Sequence, residues 1–81
     1  MTHSSQERKQ ALRILAYLTA DGGWQSIPTI QAALKMPQGT IRREVPTLVR
    51  DLLLKRRPVG HGQYTYCATL RAHLLVQRSL P

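Results

Sequence analysis

Four stretches, taken in order, decide how this chain reads: Ser26-Ile-Pro-Thr-Ile-Gln-Ala-Ala-Leu-Lys35, Met36-Pro-Gln-Gly-Thr40, Ile41-Arg-Arg-Glu-Val45 and Lys55-Arg-Arg-Pro-Val-Gly-His-Gly-Gln-Tyr-Thr65. They spell a helix, a tight turn, a basic helix and a two-stranded hairpin. Seven of the twelve Lys and Arg residues lie between positions 35 and 57. The cations are thus concentrated on the second half of this unit.

Ser26 can cap the first of these helices by accepting a free amide, and Pro28 sits in its first turn, where a missing N–H costs nothing. Ile30, Ala33 and Leu34 are expected to face inward. Pro37 and Gly39 punctuate the turn that follows. In the next helix Ile41, Val45, Leu48 and Leu52 recur at spacings that line one face. At about 100° per residue, Gly39, Arg43, Pro46 and Arg50 fall on the opposite face, flanked by Arg42 and Thr47. Pro46 removes an amide donor and crowds the carbonyl of Arg42, which costs about 3 kcal/mol inside a helix. A kink or break near residues 43–45 is therefore expected. A complete break would shorten the helix to residues 38–45.

Residues 53–59 are strand-like, Gly60-His61-Gly62 supplies a turn, and residues 63–68 alternate. Tyr64 and Tyr66 share one side of the second strand and are assigned to the core, leaving Gln63 and Thr65 exposed. Lys55, Arg56 and Arg57 lead to the tip, where His61 sits.

Outside this unit, a first helix is expected to start at Ser4 or Ser5, with Ser4 and Glu7 at capping-box spacing. Its apolar stripe is Ala11, Leu12, Ile14, Leu15 and Leu18. Asp21-Gly22-Gly23 ends it, because glycine accepts the left-handed cap conformation cheaply. Trp24 reads as a core anchor or a lid rather than a binding platform. Thr69 can cap a last helix whose Leu70, Leu74, Leu75 and Val76 either cover the core or pair with a second copy.

The 81 residues suffice for one domain, spanning 1–81, and the apolar fraction of 42% is that of a folded globule. Phe is absent, so aliphatic residues, Trp24 and the tyrosines must build the core. A net charge of +8 favours a polyanionic partner. The lone Cys67 allows no intrachain disulfide and fits a reducing compartment. No apolar run approaches the roughly 20 residues that span a bilayer, and no secretory signal is visible, so a cytoplasmic protein is expected with no membrane partner.

Catalytic groupings are not evident. His3, His61 and His73 lie in separate elements, and no metal-ligand spacing occurs. Glu44 and Asp51 read as partners of nearby arginines rather than as an acid/base pair. Gly60 and Gly62 do not introduce a phosphate-cradling helix. Neither an enzyme nor a cofactor is expected.

From Ala11 to Leu74 the order of residues resembles the N-terminal winged-helix domain of IclR-type bacterial regulators. The likeness rests on Ala11-Leu-Arg-Ile-Leu15, on Ile30 with Ala33 and Leu34, on Met36-Pro-Gln-Gly-Thr-Ile41, on Thr47 and Leu48, and on Tyr64-Thr-Tyr66. Lys35 departs from it, standing where that family has a turn glycine, as does Pro46. The large effector domain of that family does not follow, so no small-molecule effector is implied. The resemblance implies a DNA-binding regulator reading sequence through Gln38, Gly39, Thr40, Arg42, Arg43 and Thr47.

Together these readings give an α+β, mainly helical, winged helix-turn-helix domain: a three-helix core, a hairpin wing and a short C-terminal helix. Its expected activity is sequence-specific binding of double-stranded DNA as a small prokaryotic or phage transcriptional regulator, repressor-like and homodimeric. The basic helix would enter the major groove, Lys55, Arg56, Arg57 and the tip at His61 would grip the adjacent backbone, and Arg50 and Gln63 are counted among the DNA-binding residues. Two other classes fit the same fold: a protein-interaction module with an acidic partner, and an RNA-binding or replication-associated protein.

Overall fold

The computed structural model describes the backbone over residues 2–79 and the side chains over residues 9–79. Four helices and three strands follow one another as α1 (Thr2–Asp21), β1 (Gln25–Ser26), α2 (Ile27–Leu34), α3 (Gln38–Arg50), β2 (Leu54–Gly60), β3 (Gln63–Ala68) and α4 (Leu70–Ser79). The helix, turn, helix and hairpin expected from residues 26–65 are all present. α1 begins at Thr2, ahead of the expected start, so Ser4 lies within the helix rather than at its cap. The capping box of Ser4 and Glu7 falls outside the described side chains.

Burial of one face of each helix builds the core. Ile14, Leu15 and Leu18 of α1 meet Ile30 of α2 and Ile41, Val45 and Leu48 of α3, with Ala72 and Val76 of α4 closing one side. Met36 in the turn, together with Leu53, Leu54 and Ala68, joins the sheet to this cluster. Ala33 is an exception to the inward assignment. It is exposed, whereas Leu34 packs against the core beside Ile30 as expected and Ile27 joins them.

The caps form as the residue types require. The Thr29 amide donates to Ser26 Oγ at 3.3 Å, and Pro28 occupies the first turn of α2. Gly22 takes φ +76°, and its amide donates to the Leu18 carbonyl at 3.0 Å. Lys35, in place of a turn glycine, still adopts the left-handed conformation at φ 52° and ψ 39°. Arg13 of α1 reaches across to donate to the Leu34 carbonyl at 2.8 Å, satisfying a free acceptor at the end of α2.

α3 runs unbroken through Pro46 to Arg50, so neither a break nor the shortened helix occurs. Pro46 is exposed, which lets its ring sit in solvent rather than in the core. The helix ends in a Schellman motif: Leu53 N–H donates to the Leu48 carbonyl at 2.9 Å, and Leu52 N–H to the Val49 carbonyl at 3.1 Å. This overturns the assignment of Leu52 to the buried face. Leu52 takes φ +62° and is 65% exposed, while Leu53 turns inward to meet Leu48.

Beyond the hairpin, a strand unforeseen in the sequence completes a three-stranded sheet of order β1-β3-β2. β1 pairs antiparallel with β3 through Gln25 with Tyr66 and Ser26 with Thr65. β2 pairs Leu54 with Ala68 through to Gly60 with Gln63, slipping register between Pro58 and Gly60. His61 and Gly62 form the reversal with φ of +54° and +71°, the positive values that a two-residue hairpin turn demands at both centres. Tyr66 packs against the core, but Tyr64 does not. Thr65, expected to be exposed, is half-buried, because β1 has made β3 the central strand. Its Oγ1 is buried without a partner.

In α4, Thr69 accepts the Ala72 amide at 3.3 Å and donates its hydroxyl to the Leu52 carbonyl at 2.7 Å. This ties the last helix to the end of α3. Ala72 and Val76 face the core, whereas Leu70 and Leu74 point outward at 74% and 51% exposure.

Two stability changes are expected from this arrangement. Leu52→Gly removes a left-handed strain of about 1–2 kcal/mol and gives back part of it in unfolded-chain entropy, for a net gain of about 0.5–1 kcal/mol. The thermal midpoint should rise by roughly 4 °C. Thr65→Val removes the orphaned hydroxyl at constant shape and should stabilise the fold by about 1 kcal/mol in urea titration.

Candidate nucleic-acid interface

Because Ile41, Val45 and Leu48 must be buried, the remaining sides of α3 are fixed. Gly39, Arg43, Pro46 and Arg50 emerge on the exposed side, as their spacing from the apolar stripe requires. Gln38 and Arg42 turn toward the sheet. They line one groove with Val59, Gly62, Gln63 and Tyr64 of the hairpin, and Ser26, Ile27, Pro28 and Tyr66 complete its wall. The first half of α3 and the hairpin therefore share one groove, which carries the exposed side chains of Gln38, Arg42 and Gln63.

The arginines of α3 differ in electrostatic setting. Arg43 Nε lies 3.7 Å from Glu44 Oε2, and Arg50 Nε lies 3.6 Å from Asp51 Oδ1. These are the arginine partners expected for the two acids. Both arginines are mostly exposed, so the pairs contribute little to stability and leave most guanidinium donors available. Among the described residues Arg42 has no such carboxylate partner.

Thr40 is half-buried at the start of α3. Thr47 is also half-buried and lies apart from the wing. It lines a second groove, shared by α1, α3 and α4, together with Glu44, Asp51, Leu12 and Leu75. Two of the chain's four acids thus sit on the side of α3 that faces away from the hairpin.

On the hairpin, Lys55, Arg56 and Arg57 are all exposed, and His61 stands at the tip. Alternation along β2 sends Arg56 to one side and Lys55 and Arg57 to the other. Arg56 stacks on Tyr64, its guanidinium carbon 4.6 Å from the ring centroid. Arg57 lies 4.4 Å and Lys55 5.7 Å from the centroid of Trp24. Trp24 is therefore no core anchor. It lies outside the buried cluster and covers one side of the hairpin.

Tyr64, on the side of the hairpin facing α3, and Trp24, on its opposite side, are the wing neighbours that the sequence did not reveal. Alternation along β3 placed Tyr64 with Tyr66, but only the position of the groove shows that it faces α3. For Trp24, proximity to β2 depends on the pairing of β1 with β3, and a two-residue strand leaves no periodic trace.

No protein-family model matches the chain, and no curated protein matches it in sequence. Its fold does have counterparts of known structure. A candidate DNA-binding protein from Ralstonia eutropha superposes with a TM-score of 0.77 at 19% identity, over 90% of this chain and 96% of that one. A point mutant of MepR from S. aureus gives 0.75 at 21% identity, over 85% of this chain and 51% of that one. A cysteine-to-serine mutant of MarR from E. coli, complexed with operator DNA, gives 0.71 at 13% identity, over 84% and 49%. The chain thus spans about half the length of the MepR and MarR chains. The likeness establishes the fold as a winged helix, with β2 and β3 as the wing. The narrower resemblance to the IclR type is not confirmed by these structures.

Proposed function

We propose that this chain binds double-stranded DNA in a sequence-specific manner and acts as a transcriptional regulator, repressing by occupying promoter DNA. The observation that carries this reading is the joint surface of α3 and the wing. An arginine-bearing helix side with a glycine near its start adjoins a hairpin whose cations are exposed. A helix of this shape fits the major groove, where forked guanidinium donors match guanine edges. The wing cations suit the adjacent phosphates. The fold likeness to MarR, whose structure was determined with operator DNA, supports the same reading. Membership of the IclR-type regulators is the narrower form of the proposal and rests on the motif likeness alone.

In this mechanism α3 enters the major groove with Gln38, Gly39 and Thr40 at its leading end. Arg42 and Arg43 reach base edges or flanking phosphates, and Thr47 and Arg50 lie further along. Lys55, Arg56, Arg57, His61 and Gln63 hold the backbone beside it. The +8 charge draws the protein to DNA before any base is read. The activity is one of binding, with no chemical step and no cofactor.

One such domain makes few base contacts, so we place two copies on a pseudo-palindromic site. The outward leucines of α4 favour this assembly. Leu70, Leu74 and Leu75 are large, apolar and exposed on a short helix, beside the groove lined by Leu12 and Leu75.

Selection from a random duplex library at near-physiological salt tests the reading directly. Enrichment of a palindromic motif is expected; no retention of duplex would overturn it. Arg43→Ala should weaken binding to the selected site by about 1–3 kcal/mol and relax preference at one base position. Arg57→Ala should weaken all sequences alike and lower the salt slope by about one. Leu74→Glu should yield monomer in sedimentation equilibrium at concentrations where the unaltered chain is dimeric, with the fold intact by circular dichroism.

A further inference from the structure

We propose that Trp24 is a positioning residue for the wing, holding Lys55 and Arg57 in the orientation in which the hairpin meets its polyanion. This inference rests on the nucleic-acid reading above. Trp24 immediately precedes β1, at one edge of the sheet, whereas Lys55 and Arg57 belong to β2 at the other edge. Its indole nevertheless lies 4.4 Å from the Arg57 guanidinium carbon and 5.7 Å from Lys55 Nζ. The ring must therefore reach across the central strand. The register agrees: Arg57 is paired with Thr65 and Lys55 with Cys67, so both cations rise from the side of the sheet that carries those two β3 residues.

Trp24 belongs neither to the buried cluster nor to the side chains packed against it. Among the described residues its two cation contacts are both to wing residues that the proposed function places on DNA. Arg43 and Arg50 each stand beside a carboxylate, which cancels part of their charge toward an outside anion. An aromatic ring restrains a cation in another way. It attracts the charge through the ring quadrupole while the N–H donors remain free to face outward. Lys and Arg side chains are rich in rotamers, and ordering them before binding lowers the cost of ordering them at binding. Indole is the strongest of the three aromatic platforms, and the chain spends its single Trp here. Arg56 on Tyr64 repeats the device on the opposite side of the hairpin.

A double-mutant cycle separates positioning from simple support of the sheet. Duplex affinity is measured for Trp24→Leu, Trp24→Phe and Trp24→Tyr, each with and without the paired changes Lys55→Ala and Arg57→Ala, below the unfolding range of every variant. Trp24→Leu should weaken binding about tenfold when the cations are present. Phe and Tyr should fall between Leu and Trp. With both cations removed, the effect of Trp24→Leu should shrink to about twofold or less, because coupled residues are not additive. An equal loss in both backgrounds would reduce Trp24 to structural support and overturn the proposal. A second readout needs no DNA: the order parameter of the Arg57 Nε–H vector in the free protein, by NMR relaxation. It should fall in Trp24→Leu and be largely kept in Trp24→Tyr; no change in Trp24→Leu would overturn the clamp. If the unaltered chain binds no duplex, the nucleic-acid reading fails by itself, and this second measurement still decides whether the clamp exists.

Discussion

The burial of one side of α3 is the constraint on which the rest of the molecule depends. Ile41, Val45 and Leu48 can leave water only by packing on Ile14, Leu15 and Leu18 of α1 and Ile30 of α2. Once they do, helical geometry fixes the azimuth of every other residue on α3. Arg43, Arg50 and Gly39 must face outward, Gln38 and Arg42 must face the hairpin, and Glu44 and Thr47 must face α1 and α4. The polar surface is thus a by-product of core packing. The side of α3 from which each arginine emerges is set by the helix itself, because rotating the helix would expose three aliphatic side chains.

The same core dictates how the chain leaves α3. Continued helix through residue 52 would keep Leu52 on the buried side by strict periodicity. Instead the helix stops at Arg50, two residues earlier, and Leu53 makes the contact with Leu48 that closes a Schellman motif. Leu52 accepts a strained left-handed conformation so that Leu53 and Leu54 can both be buried and β2 can start beside the core. The Leu52 carbonyl then receives the Thr69 hydroxyl, which fastens the start of α4 to the same corner. A triple leucine gives no periodic signal of where a helix ends, since each of the three would serve as the last apolar residue. Energetic competition between helix and sheet decides it, and that competition is non-local.

Legibility in the sequence follows the range of the forces involved. The caps at Ser26, Gly22 and Thr69 and the hairpin turn at His61 and Gly62 were readable because each is settled by a few neighbouring residues. The outward arginines were readable because one helical period relates them to the apolar stripe. Ala33, Thr65, Tyr64 and Trp24 were not, because their surroundings are supplied by elements distant in sequence. Pro46 shows the same limit from the other direction. Its local cost predicted a break, but α3 carries buried residues on both sides of it, Ile41 and Val45 before and Leu48 after, and their packing holds the helix together.

Charge is sorted by these same packing choices. Glu44 is only 8% exposed, and it shares its groove with Asp51, on the side of α3 away from the wing. Lys55, Arg56 and Arg57 stand clear of them on the hairpin, held by rings rather than by carboxylates. A net charge of +8 spread evenly would give a diffuse positive field and general self-repulsion. Glu44 and Asp51 offset part of the charge of Arg43 and Arg50, whereas none of the described ion pairs touches Lys55, Arg56 or Arg57, so the positive charge of the wing is left unopposed there.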